Sequence, residues 1–284
     1  MNILETVDKY LENPYFERSR YSSNSHYPSQ SSCMVKDEYD ENVIIGKCMR
    51  DVYWQSRGIK KTNPMTARSI RITKVGKIIE GFEIDRYKEL GIWRGNNIKF
   101  YNEKYSVSGE IDALVYDEER RGLLGIEIKT GYDYRFRKEV IGSSSRPGKP
   151  KLDHLLQTML YIDYFKIPFK IVYIDRGNAA RKEYDITLNT DGTPNINGKK
   201  LDNGLSIPGC VERFKRLEEH LENSTIPRRD FQLKYSPERV EFLYDSNRLN
   251  KTQKKEYEKN KKVDMGDWRC SYCDYKDYCW SNNK

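Results

Sequence analysis

The feature that most constrains the fold is a set of four cysteines divided between distant parts of the chain. Three lie near the C-terminus in the spacing C-x2-C-x5-C, namely Cys270, Cys273 and Cys279, and Cys48 lies far upstream. Four thiolates can bind Zn²⁺ or a [4Fe–4S] cluster, and the spacing alone does not separate the two. If the four share one site, that site joins the two ends of a single folded unit.

Two further cysteines are weaker candidates for that site. Cys33 competes with Cys48 for the fourth position, but its surroundings are loop-like and it lacks the arginine and aromatic residues that follow Cys48. Cys210 opens a predicted helix, where a small buried residue is the simpler interpretation. We therefore favour Cys48 as the fourth ligand.

The composition predicts a soluble protein of one large domain or two small ones. Charged residues make up 33% of the 284 residues, the mean hydropathy is −0.90, and no stretch approaches the roughly 20 apolar residues of a membrane span. We expect a cytoplasmic protein without a membrane partner, in which cysteines serve as metal ligands rather than disulfides. The net charge of +8 favours a polyanionic partner.

The order of predicted elements indicates an α/β core with a mixed central sheet flanked by helices. Helices are predicted at 1–12, 47–57, 65–90 and 152–165 and around Val211–Leu221, residues 19–32 are predicted to be loop, and strands are predicted at 98–105, 107–116, 123–129, 169–174 and 182–188. On the longest helix, the helical spacing of Val75, Ile78, Ile79 and Phe82 predicts one buried stripe.

Three segments are predicted along the chain. Residues 1–62 form an N-terminal helical segment with the first cysteine, residues 63–190 form the core, and residues 191–284 form a helical and basic segment with the last three cysteines.

A possible catalytic site begins with the sequence Glu127-Ile128-Lys129. Side chains alternate across a strand, so Glu127 and Lys129 share one face while Ile128 points into the core. A hairpin through residues 117–122 brings Asp112 near Glu127. Two neighbouring carboxylates repel unless a cation lies between them, and oxygen ligands suit Mg²⁺ or Mn²⁺.

Two helices offer further groups to this site. The longest helix carries Gly76-x-x-x-Glu80, which supplies a third carboxylate. Gln157 and Tyr161 are four residues apart and therefore lie on one helical face. A glutamine can orient a water molecule or a phosphate oxygen, and a tyrosine can contact a nucleic-acid backbone.

The ordered motifs G-x-x-x-[H/E], G-x-x-D, E-x-K and Q-x-x-x-Y resemble those of the PD-(D/E)XK nucleases of the RecB-like group. With the flanking cysteines, residues 45–280 are similar to its iron–sulfur exonucleases, which include the AddB nuclease domain and the exonucleases of CRISPR adaptation. Members usually carry histidine where Glu80 stands, and Glu83, one turn further on, is an alternative ligand.

The resemblance implies a restriction-endonuclease-like core and a cluster lobe that joins the N- and C-terminal segments. It implies metal binding by Glu80, Asp112, Glu127 and the carbonyl of Ile128, catalysis by Lys129 with support from Gln157 and Tyr161, and a [4Fe–4S] cluster on Cys48, Cys270, Cys273 and Cys279. The implied activity is Mg²⁺- or Mn²⁺-dependent exonucleolytic cleavage of DNA ends or single strands that leaves a 5′-phosphate.

The implied setting is DNA repair, recombination, phage DNA processing or CRISPR spacer acquisition, with a helicase or integrase as a possible partner. Two alternatives stay open from the sequence. One is a zinc-stapled nucleic-acid-binding module that does not cut, and the other is a nuclease-fold subunit of a larger complex. The chain contains no G-x-x-x-x-G-K-[ST] helicase motif.

Overall fold

The structure, a computed structural model, describes residues 3–12 and 25–281. These residues fall into two compact units, one drawn from 3–47 and 65–225 and the other from 48–64 and 226–281. The division differs from the three predicted segments in three respects. Residues 3–47 and residues 191–225 belong with the core, and residues 48–64 belong with the C-terminal region.

The described residues form ten helices and nine strands. The helices are α1 (Ile3–Leu11), α2 (Met49–Ser56), α3 (Ala67–Glu89), α4 (Tyr134–Phe136), α5 (Leu152–Phe165), α6 (Ile207–Glu222), α7 (Pro237–Asp245), α8 (Lys251–Asn260), α9 (Trp268–Ser271) and α10 (Lys276–Ser281). The strands are β1 (Ser32–Lys36), β2 (Asn42–Gly46), β3 (Trp93–Asn102), β4 (Val107–Asp117), β5 (Gly122–Gly131), β6 (Phe169–Asp175), β7 (Arg181–Leu188), β8 (Pro194–Ile196) and β9 (Lys199–Lys200).

Strands β3 to β9 form one seven-stranded sheet in which spatial order follows chain order. Strands β3, β4 and β5 are an antiparallel meander. Strands β5 and β6 pair in parallel, and the chain segment that connects them contains α5. Strands β6 to β9 are again antiparallel. The predicted mixed α/β core is confirmed, and α5 has the bounds predicted from its apolar pattern.

Helices cover both faces of this sheet. Leu155 and Met159 of α5 pack on one face against Ile171, whereas Ile84 of α3 packs on the other face against Val172. Because adjacent residues of a strand point to opposite faces, β6 contributes to both cores. Burial on both faces explains why β6 is almost continuously apolar.

The predicted buried stripe of α3 is wrong for three of its four residues. Val75, Ile78 and Phe82 are exposed, whereas Ile79 is partly buried and packs against the sheet together with Ile84 and Tyr87 near the end of the helix. Within α3 no residue between 68 and 82 is buried. The spacing correctly predicts a helix, but which face is covered depends on where the sheet ends, and local periodicity carries no information about that.

A hairpin of β1 and β2 was not predicted, and it begins at the end of the segment 19–32 that the sequence assigned to loop. Of that segment, residues 25–31 include a 3₁₀ turn at Pro28–Gln30, and 19–24 lie outside the described residues. Ser32 pairs with Gly46. Gly46 has a φ of +86°, and a Cβ there would lie 2.2 Å from the Ser31 carbonyl oxygen, so the hairpin requires glycine at this position.

The second unit contains α2 and α7 to α10. Its apolar centre is small and comprises Val240, Leu243, Leu249, Tyr257 and Val263. No helix in 3–12 or 25–281 is long and apolar enough to cross a membrane.

Close packing between β5 and β6 gives a prediction for stability. A Cβ on Gly125 would lie 2.3 Å from the Phe169 ring, whereas one on Gly122 of the same strand would meet nothing nearer than 3.8 Å. We expect Gly125→Ala to lower the free energy of unfolding by about 1–3 kcal/mol, because the buried ring must shift. Urea unfolding measures the change, and Gly122→Ala is the matched control. Equal stability of the two variants would contradict this packing.

Candidate functional site

A cavity of about 1030 Å³ opens in the first unit between α3, strands β3 and β4, and α5. Its lining includes Glu80 of α3, Asp112 of β4, and Gln157 and Tyr161 of α5. Four residues that were predicted from three separate motifs therefore line one cavity. The neighbouring strand β5 carries the E-x-K motif.

Asp112 lies where β4 and β5 separate. Backbone pairing of the two strands runs from Asp117–Gly122 to Ala113–Ile126. Beyond that pair, the backbone N–H of Ile128 donates to Oδ2 of Asp112 over 2.8 Å. The carboxylate of Asp112 thus takes the place of a backbone carbonyl as the acceptor for this N–H. It is held at the point where the two strands separate.

Glu127 and Lys129 share a face of β5, as the alternation predicts. Ile128 instead joins the core on the α3 side. Glu127 is 1% exposed and its Oε1 forms an ion pair with Lys129 Nζ. Lys129 Nζ also donates to Gln157 Oε1 over 3.1 Å. The ammonium is therefore held between an acid from the sheet and an amide from α5.

The hydrogen bonds continue along α5. Gln157 Nε2 donates to the hydroxyl of Tyr161 over 2.6 Å, and that hydroxyl donates to the carbonyl of Glu110 over 3.3 Å. The amide of Gln157 is thereby fixed in orientation, with its oxygen toward Lys129. Through these hydrogen bonds, Gln157 and Tyr161 fix the position of Lys129.

Crowding of the carboxylates shifts their acidity. Burial, followed by the negative charge of Asp112, raises the pKa of Glu127 to about 7. Burial and Asp112 also raise the pKa of Glu80, and burial raises that of Asp112. Burial opposes the charged form of Lys129, but Glu127 and Asp112 outweigh it and raise the lysine pKa. The cavity favours positive charge.

The donor chemistry suits a hard divalent cation. Oε2 of Glu127 is buried and has no hydrogen-bond partner among the described residues, so one oxygen remains available. Within the described ranges, however, no group of three or more Asp, Glu, His or Cys side chains is gathered closely enough to hold a metal ion. The assignment of Glu80, Asp112, Glu127 and Ile128 as ligands stays a prediction.

The two acids of α3 have different surroundings. Glu80 lines the cavity and accepts hydrogen bonds from Lys77 Nζ over 2.7 Å. Glu83 is 4% exposed and pairs with Arg181 of β7 over 2.5 Å. The structure therefore places Glu80 at the cavity, while Glu83 belongs to an ion pair with the sheet.

Sequence reasoning missed His154, which lies one turn before Gln157. The backbone N–H of Lys151 donates to the Tyr173 hydroxyl over 3.0 Å, and Nδ1 of His154 lies 3.0 Å from that hydroxyl. Because the hydroxyl already accepts from Lys151, its proton is available for Nδ1. Burial and the charges of Lys129 and Lys151 hold the pKa of His154 well below its usual value. The available signal was the spacing of three residues between His154 and Gln157.

All four predicted cluster cysteines belong to the second unit. Cys48 is the N-cap of α2, whose Met49 N–H donates to Asp230 Oδ2 over 2.7 Å. The Tyr275 hydroxyl donates to the carbonyl of Ile59 over 3.1 Å, and Trp54 packs against Tyr275. These contacts bring residues 48–64 and the C-terminal cysteine segment together.

Within this unit the thiols influence one another. Burial, followed by the charge of Cys48 and that of Asp267 and Cys279, raises the pKa of Cys270 to about 12. The Cys273 thiol donates to Asp51 over 3.4 Å. A bound cation would offset this repulsion between neighbouring thiolate charges.

Two arginines donate hydrogen bonds to the sulfur of Cys279. Arg229 Nε donates to Cys279 Sγ over 3.4 Å, and Arg50 Nη1 donates to it over 3.9 Å.

The remaining cysteines have structural surroundings. Cys33 lies in β1 and Cys210 in α6, both fully buried in the core of the first unit. A hydrogen bond with the Cys210 thiol lowers the pKa of Cys33 to about 7. Burial of Cys210 is confirmed, and Cys33 packs beside it in the first unit.

The raised pKa of Glu127 predicts a pH-dependent stability. Because the folded state holds this proton more tightly, the stabilisation is complete below pH 4.5 and is lost as the pH rises to about 7. We expect the free energy of unfolding to fall across this range by roughly 1–3 kcal/mol more in the parent than in Glu127→Gln. Urea unfolding without added metal measures it, with Glu183→Gln on the surface as control. Parallel pH profiles for parent and Glu127→Gln would contradict the assignment.

Comparison with known proteins gives a structural likeness but no sequence match. No protein-family model matches the chain, and no curated protein matches it. The crystal structure of SSO0001 is similar, with a TM-score of 0.48 and 15% identity over 99% of this chain and 98% of that chain. Similarity at this level supports no conclusion about fold or function.

Proposed function

We propose that the first unit is a metal-dependent deoxyribonuclease that hydrolyses phosphodiester bonds at DNA ends or in single strands. The observation that supports this most is a cavity lined by Glu80, Asp112, Gln157 and Tyr161. The neighbouring strand β5 carries Lys129, which forms an ion pair with Glu127 and donates a hydrogen bond to Gln157 of that lining. A protein that only binds phosphates gains nothing from buried carboxylates, which repel them.

Glu80, Asp112, Glu127 and the carbonyl of Ile128 would hold a divalent cation. Bound there, Mg²⁺ or Mn²⁺ supplies a water of lowered pKa and neutralises charge on the phosphodiester. Lys129 places a positive charge where negative charge develops on the phosphate oxygens. Gln157 holds the lysine in place, and the hydroxyl of Tyr161 keeps the amide of Gln157 turned toward it.

Two lysines that line the same cavity suit the binding of the DNA strand on either side of the cleaved bond. Lys88 of α3 and Lys99 of β3 belong to its lining. Positive side chains there would bind phosphates on either side of the cleaved bond and set its register. They carry no base recognition, so cleavage without sequence preference is the expected behaviour.

A second candidate function is nucleic-acid binding without cleavage, as an independent module or as a subunit of a larger complex. One observation favours it, namely that within residues 3–12 and 25–281 no group of acids is gathered closely enough to hold a metal ion. In addition, Lys129 already neutralises Glu127. The cleavage experiment decides between the two candidates.

We expect Lys129→Ala to reduce the cleavage rate at least about a hundredfold, because charge on the phosphate is then unopposed. The assay is a time course on 5′- and 3′-labelled single- and double-stranded DNA with Mn²⁺, Mg²⁺ or EDTA. Lys200→Ala, on the exposed strand β9, is the matched control. Cleavage by Lys129→Ala at the parental rate would reject the site, and DNA binding by the parent without cleavage under any metal would favour the second candidate.

For the second unit we propose a [4Fe–4S] cluster on Cys48, Cys270, Cys273 and Cys279, with Zn²⁺ as the less favoured occupant. The four thiols belong to one compact unit, and the charges of Cys48 and Cys279 raise the pKa of Cys270. The cluster would be structural and would hold residues 48–64 to the C-terminal segment. The apolar centre of this unit is small, so such a crosslink adds stability that packing does not provide.

Anaerobic purification tests this assignment. We expect iron and acid-labile sulfide in equal amounts, both lost in Cys270→Ala together with a lower Tm. Cys210→Ala, which removes a buried thiol of the first unit, should keep the iron. Zinc without sulfide in the anaerobic parent would identify the alternative occupant, and neither metal nor sulfide would reject the site.

A further inference from the structure

The net positive charge of the chain is concentrated in the second unit. Residues 48–64 and 226–284 contain 18 Lys and Arg against 11 Asp and Glu, which gives +7, whereas the rest of the chain contains 33 against 32, which gives +1. The unit that carries the cysteines therefore carries almost the whole excess. Such a charge attracts a polyanion independently of the catalytic cavity.

Two large aromatic residues of this unit stand open to solvent. Trp268 is 60% exposed and Tyr272 is 82% exposed, at the start of α9 and just after its end. Their ring centroids are 6.4 Å apart, with an angle of 61° between the planes. Tryptophan is usually largely buried, so this degree of exposure is unusual.

Positive charge accompanies these rings. The Arg269 guanidinium carbon lies 4.8 Å from the centroid of Trp268 and 5.1 Å from that of Phe231. An arginine over an aromatic ring holds that ring in place through a cation–π contact.

The backbone beneath the rings is held firmly. Asp267, the N-cap of α9, accepts from the Gln232 N–H over 2.7 Å and from the Tyr235 hydroxyl over 2.9 Å. A Cβ on Gly266 would lie 2.0 Å from the Leu233 carbonyl oxygen, so the chain approaches as closely as glycine permits. The rings therefore project from a fixed base, which limits the entropy lost when a ligand binds.

We propose that Trp268, Arg269 and Tyr272 form a stacking platform for the unpaired bases of a single-stranded polynucleotide. Stacking requires exposed base faces, which a duplex hides, and the surplus of positive charge suits the phosphates between those bases. The platform is a second binding surface that the proposed chemistry does not use. It stands whether or not the cavity cuts DNA.

Binding is measured by fluorescence anisotropy of labelled oligo(dT) with the full chain at low salt and without added divalent metal. A gel of the recovered oligonucleotide confirms that it remains intact. We expect the double variant Trp268→Ala, Tyr272→Ala to bind about 10- to 100-fold more weakly, since each base–aromatic stack contributes substantially. Phe242→Ala is the matched control, because Phe242 is an exposed aromatic of the same unit that also lies under an arginine, Arg239.

Salt dependence separates lost stacking from lost charge. The double variant removes no charge, so the slope of log Kd against log salt should equal that of the parent. Duplex DNA of the same length should bind the parent and the double variant alike. An oligo(U) arm tests RNA, and equal losses for RNA and DNA indicate recognition of bases and phosphates alone.

A spectroscopic readout guards against misfolding of the alanine variant. The chain has four tryptophans, and Trp54 is buried. Oligo(dT) should quench tryptophan fluorescence in the parent, and Trp268→Phe should lose most of the quenching while keeping most of the affinity, because phenylalanine still stacks. No binding by the parent, unchanged affinity of the double variant, full quenching in Trp268→Phe, or an equal loss in Phe242→Ala would each overturn the platform. Failure of the cleavage assay alone leaves these results unaffected.

Discussion

The ion pair between Glu127 and Lys129 is the interaction on which the cavity depends. Removal of two charges from water is costly, and attraction between them offsets that cost only when further hydrogen bonds complete the arrangement. Here Gln157 of α5 accepts a hydrogen bond from Lys129 of the ion pair, and Gln157 in turn donates one to the Tyr161 hydroxyl. One strand and one helix are thereby fixed to each other by polar contacts at the edge of an apolar core. At that edge β4 and β5 separate and the cavity opens.

Asp112 allows strands β4 and β5 to separate beside the cavity. Because its carboxylate takes the N–H of Ile128, β4 and β5 diverge without leaving that donor unsatisfied. A side chain that ended the ladder without accepting would leave a buried N–H without a partner and destabilise the site. The same residue thus shapes the cavity and raises the pKa of Glu127 and Glu80. Fold and acidity at this site have a common cause.

Local patterns in the sequence predicted much of this site. Alternation placed Glu127 and Lys129 on one face, and helical spacing placed Gln157 and Tyr161 on one side of α5, both as the structure has them. The patterns gave a wrong prediction where the burial of a residue depends on contacts with residues distant in sequence. The exposed face of α3 around Ile78 is set by the extent of the sheet.

The contact between His154 and the Tyr173 hydroxyl could likewise not be predicted from the sequence. It depends on Tyr173, which stands beside Lys129 only because β5 and β6 are parallel in this register. Periodicity within one element reports which residues share a face. It does not report which other element covers that face.

The uneven charge of the two units has a physical consequence for any polyanionic substrate. A cavity lined by Glu80 and Asp112 repels phosphate until a cation is present, and the nearly neutral first unit adds no long-range attraction. The second unit has the charge that the first lacks, and the chain joins the two units three times, at 47–48, 64–65 and 225–226. In the proposed function, a nucleic-acid strand bound by the second unit is tethered to the chain that carries the cavity. Attraction of the polyanion and the proposed chemistry are then assigned to different units, and the cavity of the first unit keeps its carboxylates.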